Sequence, residues 1–324
     1  EEITKSCIQY LEAVPWDDNE EEEILKVVPR VGPMAMPIIA RVQPVDFSGV
    51  KTVFISALRF AMSNGVPCPP FGDELKTSAQ EQVDYMLGED DDLSMVASDE
   101  DVKSAARSGL LTTFSSLEDQ FSSLLLESNL VMDDAEATLL HCVSDIEWMC
   151  NLLPRLDLMK DLVLKWEEVS GKLLQTIEDS KLDSVMWGLK LKLIVVTGKV
   201  FDVVGYGNVI LPAPCRVQLL KTWLPYIRKL KPLLDTKGAE DLSFPYKMDE
   251  DLCQSIEGAI VSLVLTSPSN DQADILADWM NCNQLQRYPD LSEAFEVWCY
   301  RTKSAKRRLL EGGLDGAGNA PVSL

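Results

Sequence analysis

The chain's single histidine, His141, stands beside Cys142, with Cys150 further along. A metal site or a general base would be sought first at this histidine. A metal site needs several ligands converging on one ion, and neither Cys-x-x-Cys nor His-x-x-x-His spacing occurs. Neighbouring helical positions diverge by about 100 degrees, so His141 and Cys142 do not point at one ion. His141 could serve as base to a serine or cysteine nucleophile, but no Gly-x-Ser-x-Gly elbow nominates one. Gly198-Lys199 resembles a nucleotide loop only superficially, since Leu193 stands where a glycine is required and Val200 follows the lysine. Gly205-Tyr206-Gly207 lacks the third glycine and the preceding strand of a dinucleotide fingerprint, and reads as a helix stop and turn. The expectation is therefore no enzyme, with no catalytic residue, cofactor or metal, and with His141 partly packed on a helix.

Charge and cysteine usage narrow the class further. The 324 residues carry a formal net charge of −22, which disfavours nucleic acid and favours a partner with a basic surface. Composition is 46% hydrophobic and 25% charged, ordinary for a globular protein. Eight cysteines spread without clustering read as reduced core thiols, and a cytoplasmic or nuclear location is expected. The chain opens on Glu1-Glu2 with neither a signal sequence nor an initiating methionine, so Glu1 is expected to be an internal point of a longer protein. The most apolar region, 189–204, is interrupted by Lys190, Lys192, Lys199 and Asp202, so no membrane span is expected.

Periodicity predicts an all-α fold: a multi-helix array with proline-rich connections, in which stacked helix pairs could take a solenoid-like shape. Ile3, Cys7, Tyr10, Leu11 and Val14 line one face of a first helix, which Pro15 stops. Asp17, Asp18 or Asn19 caps a second helix whose first turn holds Glu20 to Glu23 and whose buried face is Ile24, Leu25, Val27 and Val28. Pro29, Pro33, Pro37 and Pro44 then allow only short turns, before a helical stripe from Gly49 to Asn64-Gly65. A rigid loop of Pro67, Pro69, Pro70 and Gly72 follows, with Asp73 as the cap of the next helix. The organisation expected is a helical region over 1–88, an acidic flexible linker over 89–109, a helical domain over 110–311 and a flexible tail over 312–324. The acidic runs at Asp17–Glu23 and Glu89–Asp92 lack the alternation and central glycine of a calcium loop. A helix N-terminus and a solvated linker explain them, and either run could meet a basic partner. Arg301 to Arg308 could act as an import signal or an acidic-surface contact. The preferred reading is the cationic end of the last helix. Seven tryptophans fall mostly on apolar stripes, so each indole N–H is expected to find a partner in the core.

The phrase Cys7-Ile8-Gln9-Tyr10-Leu11-Glu12-Ala13-Val14-Pro15-Trp16 and its acidic run resemble the region that follows the BTB domain in plant BTB/POZ proteins. A second similarity lies at Ile275-Leu276-Ala277-Asp278-Trp279, Pro289-Asp290-Leu291 and Ala294-Phe295-Glu296-Val297-Trp298. The resemblance implies a substrate adaptor for a cullin-3 ubiquitin ligase. Its upstream BTB domain, absent from this sequence, would bind the cullin and dimerise, while the helical region positions a target protein. The resemblance carries no catalytic residues. Cys7, Tyr10, Leu11, Pro15, Trp16, Trp279, Phe295 and Trp298 are its points of contact with the family and are expected to be structural. The alternative is a helical interaction scaffold unrelated to ubiquitination.

Overall fold

The computed structural model describes residues 2–43, 45–63, 74–88, 94–126, 132–182, 184–282 and 287–315. Among them are fourteen α-helices and no strand, as the periodicity predicts. Contacts divide the chain into two units, Glu1–Val53 and Phe54–Leu324.

In the first unit, α1 (Glu2–Ala13) ends before Pro15, and α2 (Asp18–Val27) starts on a capping box. The Asp17 carboxylate accepts from the Glu20 amide at 2.8 Å, and the Glu20 carboxylate accepts from the Asp17 amide at 3.0 Å. Asp17 is thus the cap among the three possibilities. Two 3-10 turns, Val28–Arg30 and Gly32–Ala35, and the six-residue α3 (Met36–Arg41) follow, each with proline in its first positions. Their core is Ile8, Val28, Ala35 and Ile38, flanked by Leu11, Trp16, Ile24, Val31 and Ile39.

This core corrects two expected faces. Ile3 is 81% and Tyr10 67% exposed, and Cys7 is exposed too, so the buried stripe of α1 runs through Ile8 and Leu11 instead. On α2, Leu25 and Val27 are exposed while Ile24 and Val28 face inward. Both sequences carry apolar residues on two overlapping stripes, and packing between short elements selects one of them.

The division between units falls within α4 (Phe47–Ala61), whose buried residues are Phe54, Leu58 and Ala61. The second unit continues with α5 (Glu74–Gly88), α6 (Ser94–Ser98), α7 (Glu100–Leu126) and α8 (Met132–Leu152). Next come α9 (Met159–Ile177), α10 (Trp187–Gly205) and α11 (Ala213–Glu240), the last with Pro225 and Pro232 in its interior. The chain closes with α12 (Glu250–Leu265), α13 (Ser269–Asn281) and α14 (Ser292–Asp315).

The stretch 89–109, expected as a flexible linker, is helical from Ser94 to Ser98 and again from Glu100. Val96, Val102, Ala105 and Ala106 are buried there, a stripe of small residues that the serine-rich, acidic composition conceals. Residues 89–93 lie outside the described residues, as do the loop 64–73 with its prolines and Asp73, Pro44, and 316–324 of the expected tail. The helix α8 starts at Met132, with Asp133 and Asp134 in its first turn.

The hub of the second unit is α10, which packs on α8 and on α12, while α7 lies on α8 and α9, and α9 on α11. Leu189, Leu193, Ile194, Val196, Val200, Phe201 and Val204 are buried on it, so it is apolar nearly all round, the signature of a helix enclosed by neighbours. Two glycines set its distance from α12. A Cβ on Gly198 would come within 2.9 Å of the Ile256 side chain, and one on Gly205 within 2.8 Å of the Ala259 carbonyl oxygen. Side chains can move aside and backbone cannot. Gly205→Ala should therefore lower stability by about 1–3 kcal/mol through overpacking. Gly198→Ala should cost less than Gly205→Ala, because a side chain rather than backbone opposes it and relief of the helical glycine penalty of about 1 kcal/mol offsets part of the strain. Urea denaturation of the two variants checks the difference. The turn expected at this point is made by Gly207, at φ +82.

Candidate interaction site

The phrase ending in Pro15-Trp16 owes its conformation to a residue far along the chain. Arg41, at the end of α3, donates from Nη1 to the carbonyls of Leu11 at 2.6 Å and Val14 at 2.8 Å. These are carbonyls that the last turn of α1 leaves without helical donors. The same guanidinium lies 3.8 Å from the centre of the Trp16 ring. One planar cation thus caps a helix and stacks on an aromatic face, two tasks that a lysine ammonium cannot combine. Arg41→Lys is expected to destabilise the first unit by about 1–2 kcal/mol and Arg41→Ala by about 2, read as a shift in its denaturation midpoint.

With Arg41 holding its inner side, α1 turns Ile3, Cys7 and Tyr10 outward, and these line an open hollow with Glu2, Ser6 and Leu11. Ile3, Cys7 and Tyr10 stand at consecutive turns of one exposed face of α1. The adjoining α2 presents Asp18, Glu20, Glu22 and Glu23 to solvent, with Lys26 paired to Glu22 at 3.1 Å and Glu23 at 2.8 Å.

In the second unit two tryptophans lie in the core. Trp166 and Trp223 are fully buried and stack at 5.6 Å between centroids, with Phe114 edge-on to Trp166. Trp223 Nε1 donates to Ser170 Oγ at 2.7 Å, and Trp166 Nε1 to Thr197 Oγ1 at 3.3 Å. Trp148 Nε1 donates to the Asp84 carboxylate, Trp187 to the Ser184 carbonyl, Trp279 to the Arg287 carbonyl and Trp298 to the Ser269 carbonyl. Six of the seven indoles thus have an acceptor, but only Trp166 and Trp223 lie in the core as expected, the other four being half-buried. Trp16 is the exception, its buried N–H without an acceptor beneath the Arg41 cation. Phe295 is half-buried on α14, and its amide continues the helix by donating to the Leu291 carbonyl at 2.9 Å.

The chemistry-bearing residues are kept apart. His141 is exposed on α8, not partly packed as expected, whereas Cys142 is buried with its thiol donating to the Thr113 carbonyl at 3.6 Å. Burial, helped by the charge of Asp145, pushes the Cys142 thiol up to about 12, and burial pushes Cys150 to about 12 as well. Both stay protonated across the physiological range. The seven described cysteines are all free thiols, and no cluster of three metal-ligating side chains occurs among the described residues. Lys199 is occupied by Asn151 at 3.0 Å and Glu147 at 3.7 Å, so Gly198-Lys199 is helix packing. Near the other end, Arg301 donates to the Leu265 carbonyl at 2.9 Å, while Lys303, Lys306 and Arg307 are exposed on α14.

Sequence reasoning missed Arg41, Lys76 and Asp145. The Lys76 ammonium meets the Asp145 carboxylate at 2.5 Å with both side chains largely buried, and Gln80 Nε2 donates to the other carboxylate oxygen at 3.0 Å. Partners 27 and 69 residues apart leave no local signal.

An all-helical array with an exposed apolar helix face, and with its reactive side chains buried or dispersed, has the build of a protein-interaction region. The chain belongs to the BTB/POZ ankyrin-like repeat family, whose model matches residues 90–305. It is 43% identical over 322 residues to the BTB/POZ domain-containing protein At3g05675 of Arabidopsis thaliana, covering 96% of this chain and 71% of that protein. Two further Arabidopsis proteins, At3g50780 and At2g13690, also carry the name BTB/POZ domain-containing. They are 23% and 22% identical across 92% of this chain, which spans about half of each, 53% and 52%. No solved structure matches the chain. Proteins of this family type are in general interaction modules rather than enzymes. No helix among the described residues is long and apolar enough to cross a membrane.

Proposed function

We propose that the chain is the non-catalytic, helical substrate-binding region of an adaptor for a cullin-3 type E3 ubiquitin ligase, working in the cytoplasm or nucleus. The observation that carries the reading is the 43% identity, across nearly the whole chain, to a protein named for a BTB/POZ domain. The proposal gives the intact polypeptide a BTB domain outside this sequence, which binds the cullin and dimerises, and gives the helices the task of positioning the target. The exposed Ile3, Cys7 and Tyr10 of α1 support it, since an apolar helix face is a surface that a neighbouring domain can cover.

The test captures the native protein from its own cells with an antibody to the exposed Asp17–Glu23 segment and identifies the captured peptides by mass spectrometry. Co-capture of a cullin-3, with peptides of a BTB domain from the same polypeptide, is the expected result. Reproducible partners without any cullin would overturn it and leave a helical scaffold unconnected with ubiquitination.

A further inference from the structure

In a chain whose net charge is −22, Arg301, Lys303, Lys306, Arg307 and Arg308 crowd together with no carboxylate between Glu296 and Glu311. The reading preferred from the sequence, the cationic end of the last helix, does not survive the fold. The helix α14 runs on to Asp315, and its last turn holds no basic residue. The dipole acts within that final turn, so the cluster sits too far back to complement it. Internal pairing does not account for the cluster either. Elsewhere lysines meet carboxylates, as Lys165 meets Glu168 at 2.9 Å, Lys221 Asp271 at 2.7 Å and Lys229 Glu178 at 3.2 Å. Lys303, Lys306 and Arg307 have no such partner among the described residues. Arg301 ties α14 to the Leu265 carbonyl at 2.9 Å, and from Thr302 to Arg307 every side chain but the half-buried Ser304 is exposed. Helices of fewer than about 12–15 residues are marginal in water without packing, so this end of α14 can be drawn out into extended chain at little cost.

We propose that Lys303, Lys306 and Arg307, with Arg308, form a nuclear-import signal read by the acidic groove of a carrier protein. Lysines and arginines gathered in one short segment are what such a groove accepts, each cation meeting a carboxylate in a charge-assisted hydrogen bond. Other polyanions fit less well. Nucleic acid and anionic lipid are extended surfaces that face the whole molecule, and its net charge of −22 repels them. A groove engages the exposed segment alone. The inference is independent of the adaptor reading, because import requires neither a cullin nor a BTB domain.

The experiment expresses the full chain in plant cells with a tandem fluorescent tag, which makes it too large to diffuse through nuclear pores, and images its distribution. The intact chain should concentrate in the nucleus. The triple variant Lys303→Ala, Lys306→Ala, Arg307→Ala should lower the nuclear-to-cytoplasmic ratio about fivefold or more. Lys303→Arg, Lys306→Arg and Arg307→Lys together keep every charge and should retain accumulation. Lys26→Ala, Lys172→Ala and Lys229→Ala remove as many charges from exposed positions elsewhere and should change nothing. All the substituted side chains are exposed, so each variant should fold, which circular dichroism of the purified chains verifies. An intact chain kept out of the nucleus or gathered at a membrane would overturn the proposal. So would a folded triple alanine variant as nuclear as the intact chain, or an equal loss when the charges are removed elsewhere.

Discussion

Lys76→Ala is expected to lower the stability of the second unit by about 3–5 kcal/mol, among the largest effects available to one substitution in this protein. The reason lies in what remains. Asp145 is 5% exposed on α8, and without the ammonium its charge keeps, among the described residues, the Gln80 amide as a partner. The loss is the penalty of an uncompensated buried carboxylate and not the net worth of the ion pair. Replacing both partners, Lys76→Met with Asp145→Leu, should therefore recover most of the loss. Urea denaturation of the two single variants and the double closes the cycle. Three equal, small effects would show that water reaches the pair and that its burial has little energetic weight.

Trp166→Ala should cost a comparable amount, about 3–5 kcal/mol, by a different route. The indole is fully buried against Phe114 and Trp223, so truncation removes contact with both rings and leaves a cavity that helices α7, α9 and α11 cannot easily close. Trp166→Phe keeps most of the volume and forfeits the 3.3 Å bond to Thr197, whose hydroxyl still donates to the Leu193 carbonyl at 2.7 Å. That variant should lose less than half as much. If the two substitutions were equally harmful, the polar network and not the packing would be the main stabilising element.

How far the sequence reveals this molecule depends on the range of the interaction. The helix α4 is legible in the stripe that starts at Gly49, because burial there falls at helical spacing on Phe54, Leu58 and Ala61. The Asp17 cap is legible too, since a capping box is written in four consecutive residues. Where α1 offered two apolar stripes the choice fell to α3 and its Ile38, which no local rule announces. The helix beginning at Glu100 was hidden for the opposite reason, its buried face being made of Val102, Ala105 and Ala106 in a run rich in serine and acid. Arg41 over Trp16 and Lys76 with Asp145 are meetings between distant segments. Their spacing in the chain carries no period, so only the fold brings them together.

The setting of Trp16 also gives the protein an internal optical marker. It is the sole tryptophan of residues 1–53, the other six all lying beyond residue 140. Its indole rests under a guanidinium with a buried, unbonded N–H, so its emission should change when α1 and α3 separate. Subtracting the spectrum of Trp16→Phe from that of the intact chain isolates this signal. The unfolding of the first unit can then be followed by fluorescence within the whole protein, with no added dye and no need to divide the chain.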